Sequence, residues 1–511
     1  MSTVDLESEP LGGSLKLGGS TGFNPAWAFS CLALIAAVIW HLQTRTELSL
    51  LQQWQLWAHV SPKDFPGFEY VYSHMPRAVM AVIAGAALGL VGSLMQQLLQ
   101  NPLVSPMTLG ASSGAWLGIV AGSVLFPALV LDYREWWALS GAILATCLSL
   151  LVARNSGFRG LPIVLAGMAV SLLFGALASA VVLLNDQYVR NLFIWGAGDL
   201  AQVDWSKIQW LLPRLIPFFI LIAVAHRPLM LMRLGEQGAQ SRGMAIIPVI
   251  VGLLLLALWL TASVIAAVGL IGFVGLLTPQ IARKFFSHSS RQEMIASAVL
   301  GALLLTLTDI IALRATDFFG QVVPSGAAAA LIGAPALILL SLHRAKSAEA
   351  SARGASNVNQ SVVRVTALKR SPVFSWSLAT GICFLILSLA LFVFPKTTLI
   401  DSGAQVRWGW FWPEGYLWQL RWPRVLAALA AGFGLAVAGT VLQRLIRNPL
   451  ASPDILGLSA GATLSIVLFI LIFGAQWLVF SPVIAFAVAL LCWHFCFPWV
   501  NGSHSHPVLW C

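Results

Sequence analysis

Charge is what this sequence has least of. Only 9% of its 511 residues are Asp, Glu, Lys or Arg, 58% are hydrophobic, and the mean hydropathy is +0.84. A soluble domain carries roughly 25% charged residues, and so few could not clothe a water-exposed globule of this length. Lipid-facing positions need no polar cover, so the scarcity excludes a soluble enzyme and predicts an all-α polytopic membrane protein. Signatures of chemistry are missing too. No G-x-x-x-x-G-K-[ST] is present to hold ATP phosphates, and no H-E-x-x-H or G-x-S-x-G offers a metal centre or a nucleophile. The six cysteines lie mostly inside apolar runs and form no disulfide framework. The formal charge of +10 comes without a basic face interleaved with stacking aromatics, which excludes a nucleic-acid partner. Residues 1–24 lack the basic n-region of a cleavable signal peptide and read as a short disordered cytoplasmic tail.

What is present is a series of apolar runs, each near the roughly 20 residues a helix needs to cross the hydrocarbon core. Spans are predicted near 25–42, 78–99, 108–130, 135–153, 161–184, 208–226, 245–265, 267–282, 295–313 and 324–343. A polar linker over 344–372 follows, then four more spans near 373–395, 423–446, 455–474 and 478–498. With the N-terminus inside, Arg154, Arg159, Arg227, Arg233, Arg242, Arg283, Lys284 and Arg291 fall in inner loops, as do the basic residues of the linker. Loops on the other side carry fewer, so the bias places the N-terminus in the cytoplasm.

The chain also repeats itself. Residues 76–115 align without gaps to 423–462, with 19 identities in 40 positions at an offset of 347. Shared apolar composition would not bring Pro, Arg, Gln, Asn and Gly into register. Ten spans separate the copies, an even number, so both share one orientation and form a parallel duplication with a pathway between like halves. Within each copy, Asn101-Pro102 and Asn448-Pro449 read as helix stops, because proline disfavours the α conformation of the residue before it. Gly85 with Gly89, and Gly110 with Gly114, read as small-xxx-small pairs that let helix backbones approach closely in lipid.

Here the sequence resembles a known family, the permease subunits of binding-protein-dependent ABC importers for iron siderophores, haem and vitamin B12. The two RNPL-like segments carry the likeness, with Trp195-Gly-Ala-Gly-Asp-Leu200, the run Gly269-Leu-Ile-Gly-Phe-Val-Gly-Leu-Leu-Thr-Pro279 followed by Ile281-Ala-Arg283, and Pro324-Ser-Gly326 with Leu331-Ile-Gly-Ala-Pro335. Gln280 stands where the family usually has His. The likeness implies a ten-helix bundle repeat over 25–343 and a partial second repeat of about four transmembrane helices over 373–490. Two copies in one chain resemble the fused ferric hydroxamate (ferrichrome-type) permeases, which makes a ferric hydroxamate siderophore the expected cargo. The likeness further implies an inner-membrane transport subunit that is not itself an enzyme and carries no cofactor. Its expected partners are a dimeric cytoplasmic ATPase and a periplasmic siderophore-binding protein, beside membrane lipid.

Site residues follow from the same resemblance. The segment Arg233–Gly243 corresponds to the family's coupling helix, which docks on the ATPase, and gives Leu234, Gly235, Glu236, Ala239 and Gly243 as contacts. A helical reading puts Glu236 and Gln240 one turn apart; as a bare loop the segment would be a solvated turn. Arg77, Arg314, Arg421 and Arg424 correspond to the arginines that meet acidic side chains of the binding protein, where charge pairs orient docking and speed encounter. The alternative for these is interfacial snorkelling. Asp309, five residues before Arg314, is the obvious intramembrane ionisable group. No relay of carboxylates or histidines accompanies it, which counts against a secondary transporter with parallel repeats.

The second copy is expected to be incomplete. At the offset of 347, residue 511 corresponds to 164, so a second coupling loop would lie beyond the end. The tail 491–511 carries several Cys and His but no Lys or Arg, and reads as frame-shifted sequence; Cys492, His494, Cys496, His504 and His506 fit no standard zinc spacing. A non-functional truncated remnant is therefore the alternative to a working permease, and little transport is expected from this stretch without a further piece.

Overall fold

A computed structural model describes residues 25–58, 61–153, 161–185, 196–233, 236–286, 289–337, 372–400, 403–446, 458–474, 482–487 and 490–491. The chain divides into two units, residues 1–363 and 364–511. Eight helices among the described residues are long and apolar enough to cross a membrane.

In the first unit the main helices are α1 (Pro25–Gln43), α2 (Met75–Leu98), α3 (Ala111–Leu125), α4 (Pro127–Ala153), α5 (Leu161–Leu184), α6 (Ser206–Val224), α7 (Ile246–Val268), α8 (Val274–Phe285), α9 (Ser290–Phe319) and α10 (Ser325–Leu337). Each follows one of the ten predicted apolar runs, since a backbone in hydrocarbon must satisfy its own hydrogen bonds. Two runs yield helices too short to span, the 108–130 run giving α3 with 15 residues. The 267–282 run yields α8, whose 12 residues rise only about 18 Å and fall short of a hydrocarbon core about 30 Å thick. It lies inside the bundle, with Val274, Gly275, Leu277, Thr278, Pro279, Gln280 and Ala282 all buried. The 324–343 run is described only to 337, over which α10 extends. In α4, Tyr133 leaves helical geometry (φ −124°, ψ 36°) and separates the first turn from the span proper.

The core forms around α2, whose apolar window is 78% buried, against 28% for the peripheral α5. It packs on α9, α8 and α7, while α3 lies between α4 and α5. Lipid tails are as apolar as leucine, so helices here are held by close van der Waals contact, and small residues permit it. A Cβ placed on Gly92 would fall 1.9 Å from the carbonyl oxygen of Gly275, and one on Gly85 would fall 2.3 Å from that of Gly301. The expected Gly85/Gly89 pair is thus the seam with α9. Gly114 likewise meets Gly141 of α4, but Gly110 caps α3 instead of belonging to it.

Three of the segments behind the family resemblance converge. Gly326 N–H donates to Gly198 O (3.0 Å), and Asp199 N–H donates to Val268 O (2.8 Å). Gly198 holds a φ of +79°, and a Cβ there would sit 2.3 Å from Leu270 O; both facts require glycine.

The second unit contains α11 (Pro372–Phe392), α12 (Gly415–Ile446) and α13 (Leu458–Phe473). It also carries a short strand pair beside its helices. Strands β1 (Val393–Ile400) and β2 (Gly403–Trp410) pair antiparallel, Val393 opposite Trp410 and Ile400 opposite Gly403. The predicted span to 395 therefore ends at Phe392. β-Branched and aromatic residues around a two-residue connection favour a hairpin, and Pro395 is tolerated because each strand of a two-stranded sheet has a free edge. The window of α12, the repeat partner of α2, is only 6% buried, and a Cβ on Gly432 or Gly439 would meet nothing within 4 Å. In the first unit the burial of α2 is supplied by α7, α8 and α9.

Candidate functional site

The repeated loop begins where α2 stops. Gln100 turns the chain with a φ of +49°, and Asn101 cannot continue the helix because Pro102 follows. The buried Asn101 accepts from Leu103 N–H at its side-chain Oδ1 (2.9 Å), and its own N–H donates to Gln96 O (3.1 Å). In the first copy α2 ends at Leu98, with Leu99 as its cap, so Asn101 and Pro102 lie in the turn that follows. Asn448 and Pro449 lie outside the described residues. Gln280 Nε2 donates to Pro102 O (3.1 Å), so the residue replacing the family's His fastens α8 to this loop. Ser105 and Thr108 close the far side, each backbone N–H bonding the other's hydroxyl at 2.8 and 3.2 Å.

Beside the loop sits a carboxylate that no sequence pattern singled out. Glu293, in the first turn of α9, is 2% exposed. Its Oε1 accepts from Arg283 Nη1 (2.7 Å) and its Oε2 from Arg233 Nη2 (3.0 Å). Both arginines continue into α2: Arg283 Nη2 donates to Gln96 Oε1 (2.6 Å), and Arg233 Nη2 to Gln97 Oε1 (3.1 Å). Gln96 Nε2 in turn donates to the carbonyls of Gly275 and Leu276 at 3.3 and 3.1 Å, and Gln100 Nε2 to Met232 O. A buried carboxylate is tolerated only when paired and hydrogen-bonded, and two guanidinium groups do this for Glu293. The only local hint was one acidic residue just after an otherwise basic stretch, Arg283 to Arg291.

Arg233 ends the short helix His226–Met232 and leads into the expected coupling segment. Glu236–Gln240 is one helical turn, as the Glu236/Gln240 spacing suggested. Ala239 is fully buried, and Gly243 closes the turn at φ +80° with its N–H on Gln240 O (2.9 Å). No neighbour crowds Gly243, so here glycine is needed for its backbone angle alone. Leu234, Gly235 and the Glu236 side chain lie outside the described residues.

The four arginines expected to meet a binding protein divide into two pairs. Arg314 and Arg424 are exposed. Arg77 is instead turned inward on Asp309: Nε donates to Oδ2 (2.8 Å) and Nη2 to Oδ1 (2.7 Å). His41 Nε2 (2.7 Å) and Ser325 Oγ (2.5 Å) complete the cluster around that wholly buried carboxylate. Asp309 thus pairs with residues far away in sequence and not with Arg314. Arg421 Nη1 donates to the carbonyls of Ala390, Leu391 and Val393, which satisfies acceptors left open at the end of α11. A second ion pair joins Arg214 to the buried Glu135. Among the described residues no three His, Cys, Asp or Glu lie close enough to hold a metal, and the Cys/His set at 492–506 lies outside them.

The polar groups described above therefore join helices. A family model described as the FecCD transport family matches residues 30–343 and 377–508. The iron(3+)-hydroxamate import system permease protein FhuB of Salmonella typhimurium is 37% identical over 454 residues, covering 87% of this chain and 63% of that protein. FhuB of Escherichia coli is 35% identical over 82% of this chain and 62% of its own length. The chain thus spans a little under two thirds of these relatives. The Fe(3+) dicitrate transport system permease protein FecC of E. coli is 32% identical over 53% of this chain. Among solved structures, a metal-chelate type ABC transporter in an inward-facing conformation superposes with a TM-score of 0.50 at 26% identity, over 62% of this chain and 99% of that one.

Proposed function

This chain belongs to the FecCD transport family, and from that premise we propose that it is the membrane permease of a binding-protein-dependent importer that carries ferric hydroxamate siderophores across the bacterial inner membrane. A separate ATPase, docked on Glu236–Gly243, supplies the energy, and the permease contributes alternating access without chemistry of its own. ATP binding closes the ATPase dimer, the docked segment moves, and the helices around α2 tilt.

One observation carries the choice of cargo. The likeness to the hydroxamate permeases runs through both copies of the repeat, whereas the dicitrate permease aligns over about half of the chain. The coupling role of Glu236–Gly243 is supported by its form, a single helical turn bracketed by Arg233 and Gly243 and seated by Ala239. Exposed Arg314 and Arg424 suit the role of contacts for acidic lobes of a binding protein.

Deleting the gene in its own cell and measuring uptake of labelled iron tests the cargo. Loss of uptake from ferric hydroxamates, with dicitrate and vitamin B12 uptake intact, is expected. Loss of dicitrate or B12 uptake in place of hydroxamate uptake overturns it.

A further inference from the structure

Docking on one helical turn is useful only if its movement reaches the pathway. We propose that Glu293 is the positioning residue that ties the docking turn to the repeated loop, so that the two move as one body. The proposal rests on the coupling role given above to Glu236–Gly243 and extends it to a residue outside that segment.

Arg233 is three residues from the docking turn, and its guanidinium bonds both Glu293 Oε2 and Gln97 Oε1. The other carboxylate oxygen of Glu293 holds Arg283 of α8, which bonds Gln96. One carboxylate therefore links four elements: the helix end before the docking turn, α8, the start of α9 and the last turn of α2. The last turn of α2 runs directly into the loop 99–110. Two further bonds close the frame from the loop side, Gln100 to Met232 O and Gln280 to Pro102 O. Charge-assisted bonds are shorter and stronger than neutral ones and are directional, whereas the apolar contacts around them can slide. Glu293 is buried, but Arg233 and Arg283 have side chains 40% and 29% exposed. Losing the carboxylate would leave both arginines able to reach water. The fold should therefore survive Glu293→Gln while the tie is lost.

Hydrogen–deuterium exchange on the purified full chain in lipid nanodiscs, with and without the importer's ATPase subunit, reads both ends of the tie. In the native chain the ATPase is expected to protect amides within 236–243 and to change exchange within 99–110 by at least about fivefold, the low end of measured couplings between sites. In Glu293→Gln the protection at 236–243 should persist while the change at 99–110 disappears. Gln97→Met, which removes the Arg233 bond to α2 together with a bond from Gln97 to Ser93 inside α2 and nearly conserves volume, should reduce the change at 99–110. This second variant decides the matter if Glu293→Gln does not fold. An undiminished change at 99–110 in the variants, or none there in the native chain, overturns the proposal. Absence of protection at 236–243 in the native chain overturns the docking reading itself, and this proposal with it.

Discussion

Replacing Arg77 by methionine would remove two of the four hydrogen bonds that converge on Asp309 and would leave a wholly buried carboxylate held only by His41 and Ser325. Stranding one member of a buried ion pair costs about 3–5 kcal/mol. The side chains are 15% and 0% exposed, so water screens the pair little and the full range applies. Replacing Asp309 by asparagine in the same chain removes the stranded charge while retaining an oxygen for Ser325. The double variant should therefore be more stable than Arg77→Met alone, by about 2 kcal/mol, within the range of coupling between residues in contact. Equilibrium unfolding in mixed micelles, titrated with a denaturing detergent, measures all four members of the cycle. A cost below about 1 kcal/mol for Arg77→Met, typical of an exposed pair, would refute this expectation, as would further destabilisation by the second substitution.

Other expectations follow from the same structure. Gly92→Val should abolish correct folding, since its Cβ would overlap the Gly275 carbonyl, whereas Gly252→Ala, inside α7 with nothing within 4 Å of its Cβ, should hold or slightly raise thermal stability. Glu236→Arg should weaken co-purification with the ATPase while leaving the melting temperature of the isolated permease intact. Arg424→Glu should slow association with the binding protein, with an effect that fades as salt is raised, because an exposed charge steers encounter more than it holds the complex. Association kinetics at two salt concentrations check this last point.

The parts legible in the sequence are those written in local pattern. Apolar runs of fixed length located the spans, because the bilayer demands that length, and the Asn101-Pro102 stop is a steric property of two adjacent residues. The 267–282 run misled because an apolar segment buried among helices and one crossing lipid have the same composition. The hairpin after Phe392 was hidden in an apolar run that continues to Pro395 without a helix-breaking signal before it. Long-range pairings were not legible at all. His41 lies 268 residues from Asp309 and Arg77 lies 232 from it, and no periodicity links them. Glu293 is silent in the sequence for the same reason: its meaning comes from Arg233, Arg283 and the two glutamines of α2, which only the fold brings together.

The most direct test of an ATP-driven permease is uptake of labelled ferric hydroxamate by spheroplasts carrying a partner ATPase disabled at its phosphate-binding lysine. Uptake should be lost, and a protonophore should leave the uptake of spheroplasts with intact ATPase unchanged. Uptake that persists without ATPase activity and collapses with the protonophore would contradict the assignment and make this chain a secondary transporter.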